Sequence, residues 1–253
     1  MVTLSTVEEA LHRLYIGTDG ANLRKEDRKK SAELVGILAE VARAVAAAKA
    51  DRAIRLVDAA AGKAYVGLLA AEFILSGRGA RSHVTLIERD QARAAACRQA
   101  TAEVRSDGVD FTIAQADVAD AAAWPDEPDV VVALHACGLA ADTIAERAVA
   151  SGARRLLLVP CCTSEAVPAA ELATRQAEAL GLPRHAEIRR RFIQAIVDAE
   201  RTLRLEAAGY ETTVVPFVAP TLTPHNLLWR ARRVSEPVRM ADAAEKLQRL
   251  HTI

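Results

Sequence analysis

From residue 53 onward the chain alternates between two kinds of apolar pattern. Short runs of strand length recur: AIRLVDAA (53–60), HVTLIERD (83–90), DFTIAQAD (110–117), DVVVALHA (129–136) and RRLLLVPC (154–161). Between them lie longer segments with helical character, namely YVGLLAAEFIL (65–75), QARAAACRQATAEV (91–104) and LAADTIAERAVAS (139–151). Strand–helix alternation with continuous Val/Leu/Ile strands predicts a parallel sheet buried on both faces by crossover helices. Upstream, SAELVGILAEVARAVAAAKA (31–50) sets Leu34, Leu38, Val41 and Val45 on one helical face. With residues 5–15 it forms a helical preface.

The rhythm changes near the end. After a helix around 188–207, YETTVVPFV (210–218) and NLLWRARRV (226–234) read as strands separated by only seven residues. A crossover needs a dozen residues or more, so these two strands must be antiparallel. The expected fold is α/β: a Rossmann-like, seven-stranded, mostly parallel sheet with a terminal antiparallel hairpin and helices on both faces. Residues 1–50 would form an N-terminal helical extension, 51–234 the sheet domain, and 235–253 a polar helical tail.

Composition narrows the partners. The 253 residues carry zero formal charge, with 51% hydrophobic and 4% aromatic content. A neutral chain gives no global attraction for DNA, RNA or an anionic membrane, and no DNA partner is expected. Charge is nonetheless uneven: residues 182–233 hold nine Arg against five acids, including RRRF (189–192) and WRARR (229–233). No apolar run approaches the roughly 18 residues of a membrane span. Four cysteines at unpaired-looking spacings, and an N-terminus without an apolar leader core, suit a reducing, cytoplasmic setting.

The first strand ends in LVDAAAGKAYVG (56–67): an acid, a turn of small residues, then a helix start. In open sheets of this kind ligands sit beside that turn, at the carboxyl ends of the strands. A phosphate-binding P-loop would need Ser or Thr after Lys63, where Ala64 stands. A dinucleotide fingerprint would need a third glycine where Tyr65 stands. S-adenosylmethionine fits better. Asp58 would face its cationic amino end across Ala60, Gly62 and Lys63. Glu88, ending the second strand, would accept hydrogen bonds from the ribose hydroxyls, and Asp117 with Val118, ending the third, would meet the adenine.

VDAAAGKAYVG, VVALHACGLAADT and LLVPCC together resemble a methyltransferase domain with the pattern D-x-G-x-G-K-G, L-H-x-C-G and a Cys-Cys pair after the fifth strand. That domain is similar to the one in tRNA acceptor-stem ribose methyltransferases and several orphan methyltransferase-like proteins. The resemblance spans roughly residues 28–234, with KKSAEL (29–34) like the family's upstream Lys-containing helix and TPHN (223–226) like its last strand entry. It implies a class I, S-adenosylmethionine-dependent methyltransferase. Ala60 and Ala64 depart from the family's glycines, which tightens the turn. The Cys/His zinc fingers of the tRNA-modifying relatives have no counterpart here.

His135 leaves the fourth strand where this superfamily faces the transferred methyl. It would act as general base or orient the cofactor's amino-acid end; His135 is thus both a catalytic and a cofactor-binding candidate. Cys137 and Cys161 are expected on the pocket wall, Cys162 and Cys97 as small buried apolar groups. A zinc site of His135, Cys137, Cys161 and Cys162 is sterically conceivable but is not the expectation. Thr223, His225 and Asn226 come over the same rim as substrate contacts, and Asp142 supports a helix start. The acceptor stays open between RNA, a small molecule and a peptide, as does the oligomeric state. The alternative from another class is a non-catalytic module of the same fold that binds a protein or RNA partner.

Overall fold

The computed structural model describes residues 2–16, 24–49, 51–160, 166–185, 187–223 and 226–252. Two helices open the chain, α1 (Leu4–Leu11) and α2 (Lys25–Ala46), followed by β1 (Arg55–Ala59), α3 (Tyr65–Ala70), β2 (Ser82–Ile87), α4 (Gln91–Glu103) and β3 (Val109–Ala114). Then come β4 (Val130–Ala136), α5 (Leu139–Ala150), β5 (Arg155–Pro160), α6 (Pro168–Ala179), α7 (Glu187–Ala207), β6 (Tyr210–Pro216), β7 (Leu227–Arg233) and α8 (Pro237–Thr252). Two helical segments run on as π turns, His12–Ile16 and Ala71–Leu75.

The seven strands form one sheet in the order β3-β2-β1-β4-β5-β7-β6. The first five are parallel, while β7 lies antiparallel between β5 and β6. This is the expected class, with the hairpin where the short connection requires it. Strand order reverses between β1 and β4, the place where an open sheet leaves a crevice at its carboxyl edge.

Side chains of successive strand residues face opposite ways, and the core divides accordingly. Leu56, Val130, Val132, Leu157, Val159 and Leu228 share one apolar layer with α1 to α4. Their neighbours Val57, Val131, Ala133, Leu156, Leu158 and Trp229 share the other with α5 and the end of α7. Leu34, Ile37, Leu38 and Val41 of α2 have no exposed surface, so the preface is an integral part of the sheet's covering. Gly36 lets α2 come close: a methyl there would stand 2.8 Å from Val218 Cγ1 and 3.1 Å from the Phe217 carbonyl.

Sequence reading did not single out α6, which packs on α7 through Ala169, Ala170 and Val197. Asp142 lies in the first turn of α5, as a helix-start acid should, but it also pairs with buried Arg201 at 2.7 Å. Arg201 in turn stands 5.4 Å over the Trp229 ring, tying α5, α7 and β7 together.

The second layer also holds Tyr210, 1% exposed, whose hydroxyl donates to the Ala153 carbonyl at 2.6 Å. Tyr210→Phe would leave that buried carbonyl short of a partner. Chemical denaturation should show a loss of about 1–2 kcal/mol with an unchanged m-value.

Candidate active site

The turn after β1 is held in an unusual shape. Ala60, Gly62 and Ala64 all adopt left-handed backbone, with φ of 57°, 62° and 59°. Only glycine takes this without steric cost. Two carboxylates fasten the turn. Asp58, 2% exposed, accepts the Gly67 N–H at 2.8 Å and so anchors the first turn of α3. Glycine at 67 allows this close approach, since a methyl there would lie 2.4 Å from Leu86 Cδ2, itself fully buried, and 3.2 Å from Asp58 Cβ. Glu88, arriving from β2, accepts the Gly62 N–H through Oε2 and the Asp90 N–H through Oε1, both at 2.8 Å.

Burial pushes the Asp58 carboxyl up to about 7; the Gly67 N–H and Lys30 oppose the shift, and Glu88 adds to it. The Lys63 side chain is exposed, and its carbonyl accepts the Tyr15 hydroxyl at 2.6 Å. Cys97 donates through sulfur to the Gly62 carbonyl at 3.3 Å, and burial raises its thiol to about 11.

Beside the turn a cavity of about 720 Å³ opens at the carboxyl edge of the sheet. Ala60, Glu88, Asp117, Val118, His135 and Cys137 all line it, with Arg89, Arg93 and the Gly138–Ala140 start of α5. Asp58, Gly62 and Lys63 belong to the turn without forming its wall. Asp117 Oδ1 accepts the Ala119 N–H at 2.9 Å, and its other oxygen lies 3.8 Å from Arg89. Trp124 holds the adjoining backbone by donating to the Val118 carbonyl at 2.9 Å.

His135 sits on a bulge. Leu134 pairs with Val159 and Ala136 with the very next residue, Pro160, so His135 is extra, and its φ is 63°. The bulge re-aims the side chain from the sheet face toward the cavity mouth. Its Nε2 stands 3.0 Å from Glu33 Oε2 on α2, and Lys30 Nζ is 3.7 Å from the same oxygen. Burial pushes the Glu33 carboxyl up, but the hydrogen bond and charge of His135, then Lys30 and Lys29, outweigh it and leave the carboxyl below its ordinary value. Burial also lowers Lys30, with Glu33 opposing.

Glu33 escaped the sequence reading. KKSAEL contains both Lys30 and Glu33, but nothing in it points to a residue 102 positions away.

Cys137 is exposed and disulfide-bonded, a correction to the expectation of unpaired cysteines. Pairing depends on how close folded strands bring two sulfurs, which spacing along the chain does not report. Its sulfur is 3.4 Å from the His135 carbonyl oxygen. Asn226 Nδ2 donates to the Val218 carbonyl at 2.6 Å, closing the β6–β7 connection, in which Thr223 is buried. Cys161, Cys162 and His225 lie outside the described residues, as does any zinc site drawn from them.

A family model described as a methyltransferase domain matches residues 29–167, more than half of the chain. The chain belongs to this methyltransferase family. Among solved structures it is similar to magnesium protoporphyrin IX methyltransferase from Synechocystis PCC 6803 with bound SAH, at 15% identity and TM-score 0.52. That match covers 91% of this chain and 95% of the other. The same protein with bound SAM matches at 14% identity and TM-score 0.51, covering 91% and 92%. The CurJ carbon methyltransferase matches at 14% identity and TM-score 0.50, covering 89% and 61%. At such identities the likeness is one of fold. No curated protein sequence gives a significant match. The methyltransferase is therefore an enzyme by family, with a sheet order, a crevice and a carboxyl-edge cavity that agree.

Two stability experiments follow from the turn. Ala60→Gly removes a left-handed alanine, whose strain of roughly 1–2 kcal/mol exceeds the extra backbone entropy of glycine. A melting temperature raised by a few degrees is expected. Asp58, ordinarily titrating at 3.8, holds its proton more tightly when folded. Its effect on stability is thus most favourable below the unfolded value and declines as pH rises from about 4 to about 7. Asp58→Asn keeps an acceptor for Gly67 without that loss. The melting temperature of the variant relative to wild type should climb across this window and level off above it; a constant difference contradicts the assignment.

Proposed function

We propose that the protein transfers a methyl group from S-adenosylmethionine to an oxygen or nitrogen nucleophile, with the donor in the 720 Å³ cavity. When bound, S-adenosylmethionine supplies an electrophilic methyl on a sulfonium centre. The carrying observation is one acid wall at the end of each of two successive strands, Glu88 and Asp117, in a single cavity that also contains His135. Glu88 keeps lone pairs on both oxygens beyond the two backbone bonds it accepts, so it can take ribose hydroxyls without releasing the turn. Asp117 and Val118, in the same wall, would meet the adenine amino group and ring. Asp58 acts from behind, holding α3 and the turn rather than touching the ligand.

His135 stands at the cavity mouth with Glu33 behind it. A carboxylate at Nε2 fixes the tautomer and stabilises the imidazolium formed when the ring takes a proton from the acceptor. Lys30 limits the charge that the pair presents. In-line methyl transfer gains much from positioning, so the dyad's share of the acceleration is that of a general base added to an aligned pair of reactants. The acceptor lies between RNA, a small molecule and a peptide; the zero formal charge favours the latter two. Thr223, His225 and Asn226 remain candidates for its recognition.

Calorimetry with S-adenosylhomocysteine separates these roles. Wild type should bind in the micromolar range, Glu88→Ala should lose at least about tenfold, and His135→Ala should bind nearly as wild type. Absence of binding to wild type contradicts the donor site. With an acceptor found by screening RNA and metabolite pools for label from methyl-labelled donor, His135→Ala should lower kcat by about 10²-fold or more. Glu33→Gln should lower kcat with KM for the donor unchanged.

A further inference from the structure

At the opposite edge of the sheet a second cavity, of about 310 Å³, gathers Arg52, Arg154, Arg155, Arg232 and Arg233 around one carboxylate, Asp129. Asp129 precedes β4 and Arg155 opens β5, whereas His135 lies six residues further along. At about 3.3 Å per residue the two sites are separated by roughly 20 Å of sheet.

The one acid is already committed. Asp129 Oδ1 pairs with Arg52 and lies 3.3 Å from Arg154 Nε, and Oδ2 accepts the Arg55 N–H at 2.9 Å. Arg232 pairs with Glu211. Arg155 and Arg233 form no ion pair among the described residues, although they share one cavity.

The cavity continues into a groove of about 250 Å³ that shares Arg155 and Arg232 and adds Arg43 and Arg230, both paired to Glu40. Seven arginines thus face three carboxylates on one surface of a chain whose formal charge is zero.

Crowded guanidinium groups repel one another unless an anion is placed among them. A single carboxylate satisfies one planar fork. Several forks converging from different elements match the multiple acceptor oxygens of a phosphate. By contrast, the arginine run at 189–191 is spent internally: Arg189 is buried on Glu178 and the Leu182 carbonyl, while Arg190 and Arg191 pair with Glu187.

We propose that the arginine basin between the end of α2, the starts of β4 and β5 and the end of β7 is a phosphate-binding site distinct from the methyl-transfer cavity. The phosphate comes either from a nucleic-acid backbone laid along basin and groove or from a small phosphorylated molecule in the basin alone.

The full chain is titrated with pyrophosphate by calorimetry and with a labelled single-stranded RNA oligonucleotide by anisotropy over a range of salt. Wild type is compared with Arg155→Ala/Arg233→Ala and with the control Arg190→Ala/Arg191→Ala. Neither basin arginine anchors another element through an ion pair, so the variant should keep its fold, checked by circular dichroism and by S-adenosylhomocysteine binding. If it does not, Arg155→Lys/Arg233→Lys keeps the charge, loses the fork and replaces it.

We expect at least one probe to bind, with about tenfold or greater weakening in the basin variant and none in the control. For RNA, the slope of log affinity against log salt should fall by about 1.4, for two lost phosphate contacts on a single strand. Loss of RNA binding assigns the source to a nucleic-acid backbone; loss of pyrophosphate binding alone assigns it to a small molecule. Binding of neither probe, or equal binding by basin variant and wild type, overturns the proposal. Retained S-adenosylhomocysteine binding shows that the donor site stands or falls separately.

Discussion

Two buried carboxylates fastening one left-handed turn are the constraint on which the rest of this protein depends. Asp58 and Glu88 end adjacent strands, and each accepts backbone N–H groups from the turn region rather than leaving them to water. Burying a charge is costly, and Asp58 shows that cost in its raised pKa. What results is a cavity wall whose backbone cannot drift: β1, the turn, α3 and the end of β2 are locked as one piece. That rigidity sets where Ala60 and Glu88 stand when they face a ligand.

The same logic places His135. A regular strand would direct its side chain to a sheet face, but the bulge and left-handed backbone turn it to the rim, where α2 presents Glu33. Strain of this kind persists only where surroundings over-determine it. Here α2 is held by an apolar stripe packed on β4 and β5 and by close approach at Gly36 to the segment after β6. A helix that reads as a preface in sequence therefore helps to hold His135, and the covering of one sheet face doubles as the support of the His135–Glu33 pair.

Much of the fold was legible because the strands are continuous apolar runs and the last connection is too short for a crossover. The acids at the ends of β1, β2 and β3 were legible for the same reason: once the strands are known, their last polar residues are known. α6 was not singled out, although Ala169, Ala170, Ala173, Gln176 and Ala177 bury one face of it at helical spacing. Glu33 and the arginine basin were hidden for a different cause. Both are assembled from residues that are far apart in the chain: the charge excess at 182–233 contains Arg230, Arg232 and Arg233 of the basin, but also Arg190 and Arg191, which pair one helical turn away with Glu187, and it omits Arg43, Arg52, Arg154 and Arg155. The turn residues were read from the sequence as a group, but which of them line the cavity and which merely hold it is a matter of side-chain direction that spacing does not reveal.

Hydrogen exchange followed by mass spectrometry, with and without S-adenosylhomocysteine, tests the central claim most directly. A donor in the carboxyl-edge cavity should slow exchange in the turn at 60–64, after β2 at 88–90 and after β3 at 117–119, while residues 43–48 and 152–155 at the opposite edge stay unchanged. Protection confined to that opposite edge, or absent from the turn, would contradict the account.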